Sequence, residues 1–446
     1  MNTSSPSPTS QALVGWVAET SGRGTLSLII TCLSTIFLCT WVVIHPRIYE
    51  RELYAVLHKF ALFFKAILAP EFIAVEGLQE WAQCRRMEKE CAKYTDGQFK
   101  LIHAFYISML ALRYRTELGD RVIWPNQYVW LLKQQLIDWK DHEKWGLGEE
   151  NIRDKSKADN AAKLISLGQV SWFVAQSIMR TAHALPLAQL ESMTISYIPL
   201  FAITYFFWWE KPKDIMTPSI VELQMSDEQK QVFESMSISN KFDNEGMPEQ
   251  VALRNIWYLT PRVFEKEAED KAMEEARARA TEKAAKNAAK TAHHSSSPEI
   301  SHTHTPGKEE NVSPESLQIE LSKEIVLSHW DPDLYRSKLW PVMCLFGASF
   351  GALHLISWNT EFPTIVELWL WRVSAIVSVC SLIIFMHFEK VVFRWGGPLT
   401  LISIVSPAFY FLSRIAMIGE VFAALRAENP AIYDTYEVST YWIHVL

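Results

Sequence analysis

TLSLIITCLSTIFLCTWVVI, Thr25 to Ile44, is a run of twenty residues without a charged side chain. At about 1.5 Å per residue, a helix of that length reaches the roughly 30 Å of a bilayer's hydrocarbon core, so the run reads as a membrane span. A cleaved signal peptide is the competing reading. Against it, the preceding segment carries only Arg23 as a basic residue, and the run ends in WVVIHP rather than at a small-residue cleavage site.

Working outward, similar runs recur. Leu53 to Val75 is apolar but broken by His58, Lys59, Lys65, Pro70 and Glu71. That pattern predicts a helix lying in the interface with its lysines reaching outward. Leu101 to Leu112 is too short to cross and predicts a buried or re-entrant helix, with the charged helix WAQCRRMEKECAKY between the two. Ala162 to Met179 and Leu187 to Trp209 are long apolar runs joined by RTAHALP, short enough to impose an antiparallel hairpin. The second ends in FFWWEKP, an aromatic belt followed by charge and a helix-stopping proline. Leu339 to Ser357, Thr364 to Met386 and Leu399 to about Ala424 complete the set; WNTEFP joins the first two, and a loop with His387, Glu389, Lys390 and Arg394 joins the last two.

The expected fold class is therefore an all-α polytopic helical bundle of about six spans, with a mixed helical and disordered cytosolic region. Its parts are a luminal tail (1–24), a first span (25–44), a cytosolic and interfacial helical region (45–161) and a hairpin of spans two and three (162–209). A second cytosolic region (210–338), spans four to six (339–424) and a luminal tail (425–446) follow. In 210–338, Val263 to Ala292 is Glu, Lys, Arg and Ala without an apolar stripe, and HHSSSPEISHTHTPGKEENVSPES is low-complexity linker. The formal net charge of -7 brings no basic patch with interleaved aromatics, which argues against nucleic acid as a partner. The expected partners are the lipid bilayer, a hydrophobic small molecule, and proteins docking through 210–338. Of the cysteines, Cys32, Cys39, Cys344 and Cys380 lie in apolar runs, and Cys84 and Cys91 form neither a disulfide framework nor a CxxC pattern.

Basic residues near span ends set orientation. Arg47, Arg51, Arg153, Lys155, Lys157, Lys163, Lys211, Lys213, Arg336, Lys338, Lys390 and Arg394 fall on one side of a six-span chain. Arg23, Arg180 and Arg426 fall on the other. The amino terminus is accordingly placed outside or in the lumen, in the endomembrane system or plasma membrane. The sequon at Asn2 then faces the glycosylating compartment, and the sequon at Asn311 does not.

Ionisable side chains inside spans cost roughly 2.5 to 3.5 kcal/mol each, which makes them candidates for function. They are Glu191, His354, Glu367, Arg372, Arg414 and Glu420. From the helical rise, Glu191 and Glu367 lie about 6 Å inside the luminal ends of their spans, and the other four also fall in the luminal half, near Arg180 and His183 of the adjoining loop. As an ion-pair lock, Glu367 would meet Arg414, and Arg372 would meet Glu420 or Glu191. As a site, Glu191, Glu367 and Glu420 are candidate acids, and His354, Arg372 and Arg414 are candidate ligand contacts. Asp154 and Asp159 of IRDKSKAD suit a helix start, and Asp138, Asp141 and His142 of DWKDHEKW read as a solvated helical face. No metal site or cofactor is expected, and Walker, GxSxG and HExxH motifs are missing.

Six segments carry a resemblance: GRGTLSLIITCLSTIFLCTW, DKSKAD, LPLAQLESMT, WWEKPKDI, FGALHLISWNTEFPTIVELWLWR and SRIAMIGEVFAALR. In these the chain resembles a group of filamentous-fungal polytopic membrane proteins of unassigned activity. The resemblance covers most of the membrane portion, includes Glu191, His354, Glu367, Arg372 and Arg414, and implies a fungal source but no chemistry. The leading expectation is an accessory or ligand-binding endomembrane protein, with a place in a fungal metabolic pathway as a finer suggestion. The alternative is a membrane-embedded cyclase or isomerase acting on a terpenoid or lipid-like substrate by acid catalysis; a transporter is third, because no repeat is evident.

Overall fold

The computed structural model describes residues 12–236, 340–395 and 400–435, apart from short breaks at 20–22, 47, 49–51, 117–118, 157–158, 214 and 216. Asn2, Asn311, the charged segment 263–292 and the histidine-bearing linker lie outside the described residues.

The uncharged run forms α1 (Thr25–Val43), and the chain leaves it at His45–Pro46. Next come α2 (Glu52–Leu68) and α3 (Pro70–Cys91), with the break at Ala69–Pro70, inside the expected interfacial helix, and the expected charged segment joined to α3. The break has a local cause. Pro70 occupies the first turn of α3, where its missing N–H costs nothing, and Ala69 before it is bent out of helical geometry. The two helices fold into a hairpin, and Lys65 is 2% exposed and paired with Glu76 across it. Lys65 therefore does not reach outward, because the chain's reversal at Pro70 brings a carboxylate to it. The exposed face of α2, with Leu53, Val56, Leu57, Phe60 and Phe64, keeps the spacing of a helical stripe.

After α3, α4 (Leu101–Ser108) is buried as expected. The strands β1 (Leu112–Thr116) and β2 (Gly119–Val122) follow, then α5 (Pro125–Lys133), α6 (Trp139–Lys144) and α7 (Glu149–Lys155). Two long helices come next, α8 (Asp159–Ala182) and α9 (Gln189–Phe207), and then β3 (Ser219–Val221) and α10 (Asp227–Ser235). The strands form a sheet in the order β2-β1-β3, β1 antiparallel to β2 and parallel to β3. The fold is thus mostly helical rather than all-α. Because β3 pairs with β1, and Gln127 and Asn126 donate to the Phe233 and Met236 carbonyls, the start of the second polar region joins the first in one small domain.

The remaining long helices among the described residues are α11 (Trp340–His354), α12 (Ile365–Trp395) and α13 (Thr400–Ala424). Residues 387–394, expected in a loop, continue α12. Gly351 of α11 lies so close to α12 that a Cβ there would meet Val379 Cγ2 at 2.6 Å.

Among the described residues, five helices are long and apolar enough to cross a membrane: Thr25–Val43, Gln189–Phe207, Pro341–Asn359, Ile365–Ile384 and Val405–Ala424. The expected second span, Ala162 to Met179, is the exception. It lies in α8, whose 24 residues have the length. Ser166, Gln169, Ser171, Gln176 and Ser177 dilute its apolar character.

Candidate functional site

The helices meet in polar contacts at two levels. At one end, the tails before α1 and after α13 are tied together. Val14 and Glu428 exchange backbone hydrogen bonds of 2.8 and 2.7 Å, and the Thr25 hydroxyl donates to Tyr433 Oη at 3.1 Å. Arg180, at the end of α8, is 2% exposed and donates to four carbonyls: Ile432 at 2.7 Å, Asp434 at 3.0 Å, Pro186 at 3.1 Å and Ala431 at 3.2 Å. Gln189 donates to the Glu361 carbonyl at 2.6 Å, and Asn429 to its carboxylate at 3.1 Å. These contacts form a clasp.

Several expected site residues belong to this clasp, with different partners. Glu191 pairs with Arg23 at 2.5 Å and accepts from the Ala188 N–H at 3.0 Å, capping its own helix. Glu367 pairs with Arg426. Arg372 pairs with no carboxylate in the predicted manner; its Nε and Nη2 donate to the Trp358 carbonyl at 3.0 and 2.8 Å, and its guanidinium stacks on the Trp358 ring. Basic residues of the two tails pair with Glu191 and Glu367, and the pairs predicted with Arg414 and Arg372 do not form. Glu420 lies half-buried within the field of Glu367, and its Oε2 has no partner among the described residues. Glu428 is pushed up to about 8 by burial, with the Glu191 charge adding to it.

The second level is the middle of the bundle, where the tip of the α2–α3 hairpin is seated. The Tyr197 hydroxyl of α9 donates to the Ile67 carbonyl, and Arg414 Nε of α13 donates to Leu68 at 2.8 Å. Tyr410, one turn before Arg414, donates to Glu71 Oε1 at 2.6 Å. Carbonyls left unpaired where the chain turns at Pro70 are thereby satisfied without water, the condition for irregular backbone away from solvent.

Around Phe350 of α11 this cluster has spare capacity. The Arg414 guanidinium lies 3.7 Å over the Phe350 ring; the Tyr197 and His354 rings are 4.8 and 4.4 Å from it, and Trp371 is 5.4 Å from His354. Glu71, Tyr197, His354, Trp371, Tyr410 and Arg414 are each 1% exposed or less. Yet Arg414 Nη1 and Nη2, Glu71 Oε2, His354 Nε2 and Trp371 Nε1 have no hydrogen-bond partner among the described residues. Buried polar groups are nearly always paired, and a guanidinium with two idle nitrogens is a costly exception. Of the expected candidates, His354 and Arg414 meet here. Glu71, Tyr197, Trp371 and Tyr410 escaped sequence reading. Glu71 was visible as an ionisable residue in an apolar run, whereas the aromatics look like any others in a span.

The remaining motifs are structural. Asp138 and Asp141 cap α6, and His142 is 1% exposed, bonded to the Tyr128 hydroxyl and stacked 4.3 Å from Trp139. It is a core residue rather than part of a solvated face, and burial holds its pKa below the ordinary value. Asp154 is exposed on α7. Among the described residues no three His, Cys, Asp or Glu side chains are grouped to hold a metal.

No curated protein and no solved structure matches the chain. One family profile does, over residues 144–303 and 326–407. The match takes in Glu191, Tyr197, His354, Glu367, Trp371 and Arg372 and leaves out Glu71, Tyr410 and Arg414. Because it covers more than half of the chain, the protein belongs to DUF8562, a family of unknown function.

Proposed function

We propose that this protein is a six-pass membrane protein with an accessory, ligand-binding role, holding a small hydrophobic molecule by its polar end at Arg414. One observation carries the proposal: a fully buried guanidinium, mid-helix in an apolar candidate span, with both Nη atoms unpaired among the described residues. Ionisable groups at such depth are expensive and persist where they serve a site or a counter-charge.

The crossing number is supported by the clasp. It ties the start of α1 to the end of α13, so both termini share one side, which needs an even number of crossings. Among the described residues five helices are apolar enough, and α8 has the length to be the sixth. Arg180, at one end of α8, sits in the clasp, and Arg153 of α7, just before its other end, pairs with Glu210 beyond α9. Lys155, Lys163, Lys211 and Lys213 gather at the small-domain end, which favours a cytosolic small domain and luminal or external termini.

Sided cysteine labelling in sealed membranes, on a background lacking the native cysteines, tests the topology. Reporters at Ala184 and Asn359 are expected to label from one side and a reporter at Lys144 from the other; Ala184 labelling together with Lys144 would remove α8 from the membrane. Native mass spectrometry of the protein extracted with its own lipids tests the binding. A small molecule should travel with the wild type and be lost from Arg414→Lys, which keeps the charge but not the planar fork. Equal retention by both would contradict the assignment.

A second reading, acid catalysis by a membrane-embedded cyclase or isomerase, is favoured by one feature, the Glu420 carboxylate beside Glu367 with an oxygen free among the described residues. It requires turnover that disappears in Glu420→Gln.

A further inference from the structure

We infer that the molecule held at Arg414 is an uncharged amphiphile whose polar end is a hydroxyl group. The inference rests on the ligand-binding reading above and goes beyond it to the chemistry of the ligand.

Charge comes first. A guanidinium is always protonated in a protein, so Arg414 contributes a fixed positive charge. The carboxyl group within its field is Glu71; burial raises its pKa, and the Arg414 charge and the hydrogen bond that Oε1 accepts from Tyr410 oppose that rise and favour the carboxylate. One cation and one anion balance. An anionic head group would leave a net negative charge in an apolar interior, and a cationic one a net positive charge, each at a cost of several kcal/mol by desolvation. The neutral ligand is the one that leaves the balance undisturbed.

Hydrogen-bond inventory comes second. The atoms without a partner among the described residues include donors, at Arg414 Nη1 and Nη2 and Trp371 Nε1, and also acceptors. Glu71 Oε2 is one acceptor. His354 Nε2 is another: Nδ1 lies 2.8 Å from the Phe350 carbonyl, which only accepts, so Nδ1 carries the proton and Nε2 of the neutral ring keeps its lone pair. A hydroxyl offers one proton and two lone pairs, and so serves a donor and an acceptor together. An ether or a ketone only accepts and would leave Glu71 or His354 idle. Phe350, His354, Trp371 and Phe362 follow one another in tilted ring contacts, an aromatic surface that suits an apolar body behind the polar end.

The test uses the full-length protein in nanodiscs and three photoactivatable probes on one diazirine-bearing sixteen-carbon chain: a primary alcohol, its methyl ether and the matching carboxylate. Labelled peptides are mapped by mass spectrometry, and competition with unlabelled hexadecanol gives relative affinities. The alcohol is expected to label peptides bearing His354, Trp371 or Arg414 and to bind about tenfold better than the ether, the effect of leaving one buried acceptor unmet. The carboxylate should also be weaker than the alcohol. Trp371→Phe, which keeps an aromatic side chain but removes the indole donor, should lower alcohol labelling several-fold while the protein keeps its fold. If the carboxylate labels better, or the ether equals the alcohol, the hydroxyl assignment is wrong and ligand binding survives. If no probe maps to these peptides while the protein keeps its fold, ligand binding itself fails and water serves the free groups.

Discussion

Two buried arginines divide the bundle into regions with different jobs. Arg180, in the clasp, donates to four backbone carbonyls, three in the tail after α13 and one in the α8–α9 loop. Arg414, in the middle, gives Nε to the Leu68 carbonyl and lies beside the Tyr197 hydroxyl, while Nη1 and Nη2 have no hydrogen-bond partner among the described residues. Both are almost fully buried, so burial alone does not separate structure from site. What separates them is how completely the protein itself satisfies the group.

The comparison breaks most severely if Arg414 proves dispensable. Replacing it with methionine leaves the Glu71 carboxylate buried without its counter-charge and frees the Leu68 carbonyl, an expected loss of about 3–5 kcal/mol. The loss should appear as a large fall in melting temperature in detergent, partly restored when Glu71→Gln is added. A double-mutant cycle that came out additive would mean the two groups do not communicate.

Arg180→Met should cost less, about 2–3 kcal/mol, because the carbonyls it leaves behind sit near the bundle end and can find water. Its signature is local. Protease sites in the terminal tails should open while the helical core persists. Gly351→Leu, forcing side-chain atoms into the Val379 side chain, is expected to cost about 1–3 kcal/mol. Gly419→Ala, with nothing within 4 Å of its new Cβ, should be neutral.

Stability should also depend on pH, with opposite sign in two places. In the clasp, Glu428 rises from an ordinary 4.5 to about 8, because burial and the Glu191 charge oppose its ionisation. The folded clasp holds that proton where the unfolded chain has lost it. Its contribution is complete below about pH 4.5, declines as pH rises toward 8 and is flat above that. Glu428→Gln should abolish the slope. In the small domain, His103 is lowered to about 4 by burial and by the neighbouring His142. Its contribution is complete above about pH 6.5 and is lost as pH falls toward 4. Hydrogen exchange measured separately over the two regions checks both directions.

Much of the bundle was legible in the sequence because span length and charge exclusion are one-dimensional properties. Thr25 to Val43 and the three terminal helices follow from long, predominantly apolar runs. What was not legible depends on chain reversal. Pro70 turns an apparent interfacial helix into a hairpin, which buries Lys65 against Glu76 and delivers Glu71 to Tyr410. No periodicity announces that pairing. The depth argument drew His354 and Arg414 together correctly as neighbours, but it assigned partners by depth alone, so Glu367 and Glu191 went to the wrong arginines. Their true partners, Arg426 and Arg23, sit in tails outside the spans. The small sheet was missed because β1 and β3 are far apart in sequence and short.

The most direct test of the mid-bundle site is a density map of the full-length protein extracted together with its native membrane lipids. Elongated density ending within hydrogen-bond reach of Arg414 Nη1 or Nη2, with its body beside Phe350 and Trp371, is the predicted result. A map in which protein groups or water alone fill both Nη positions would contradict it and make Arg414, like Arg180, a structural fastening.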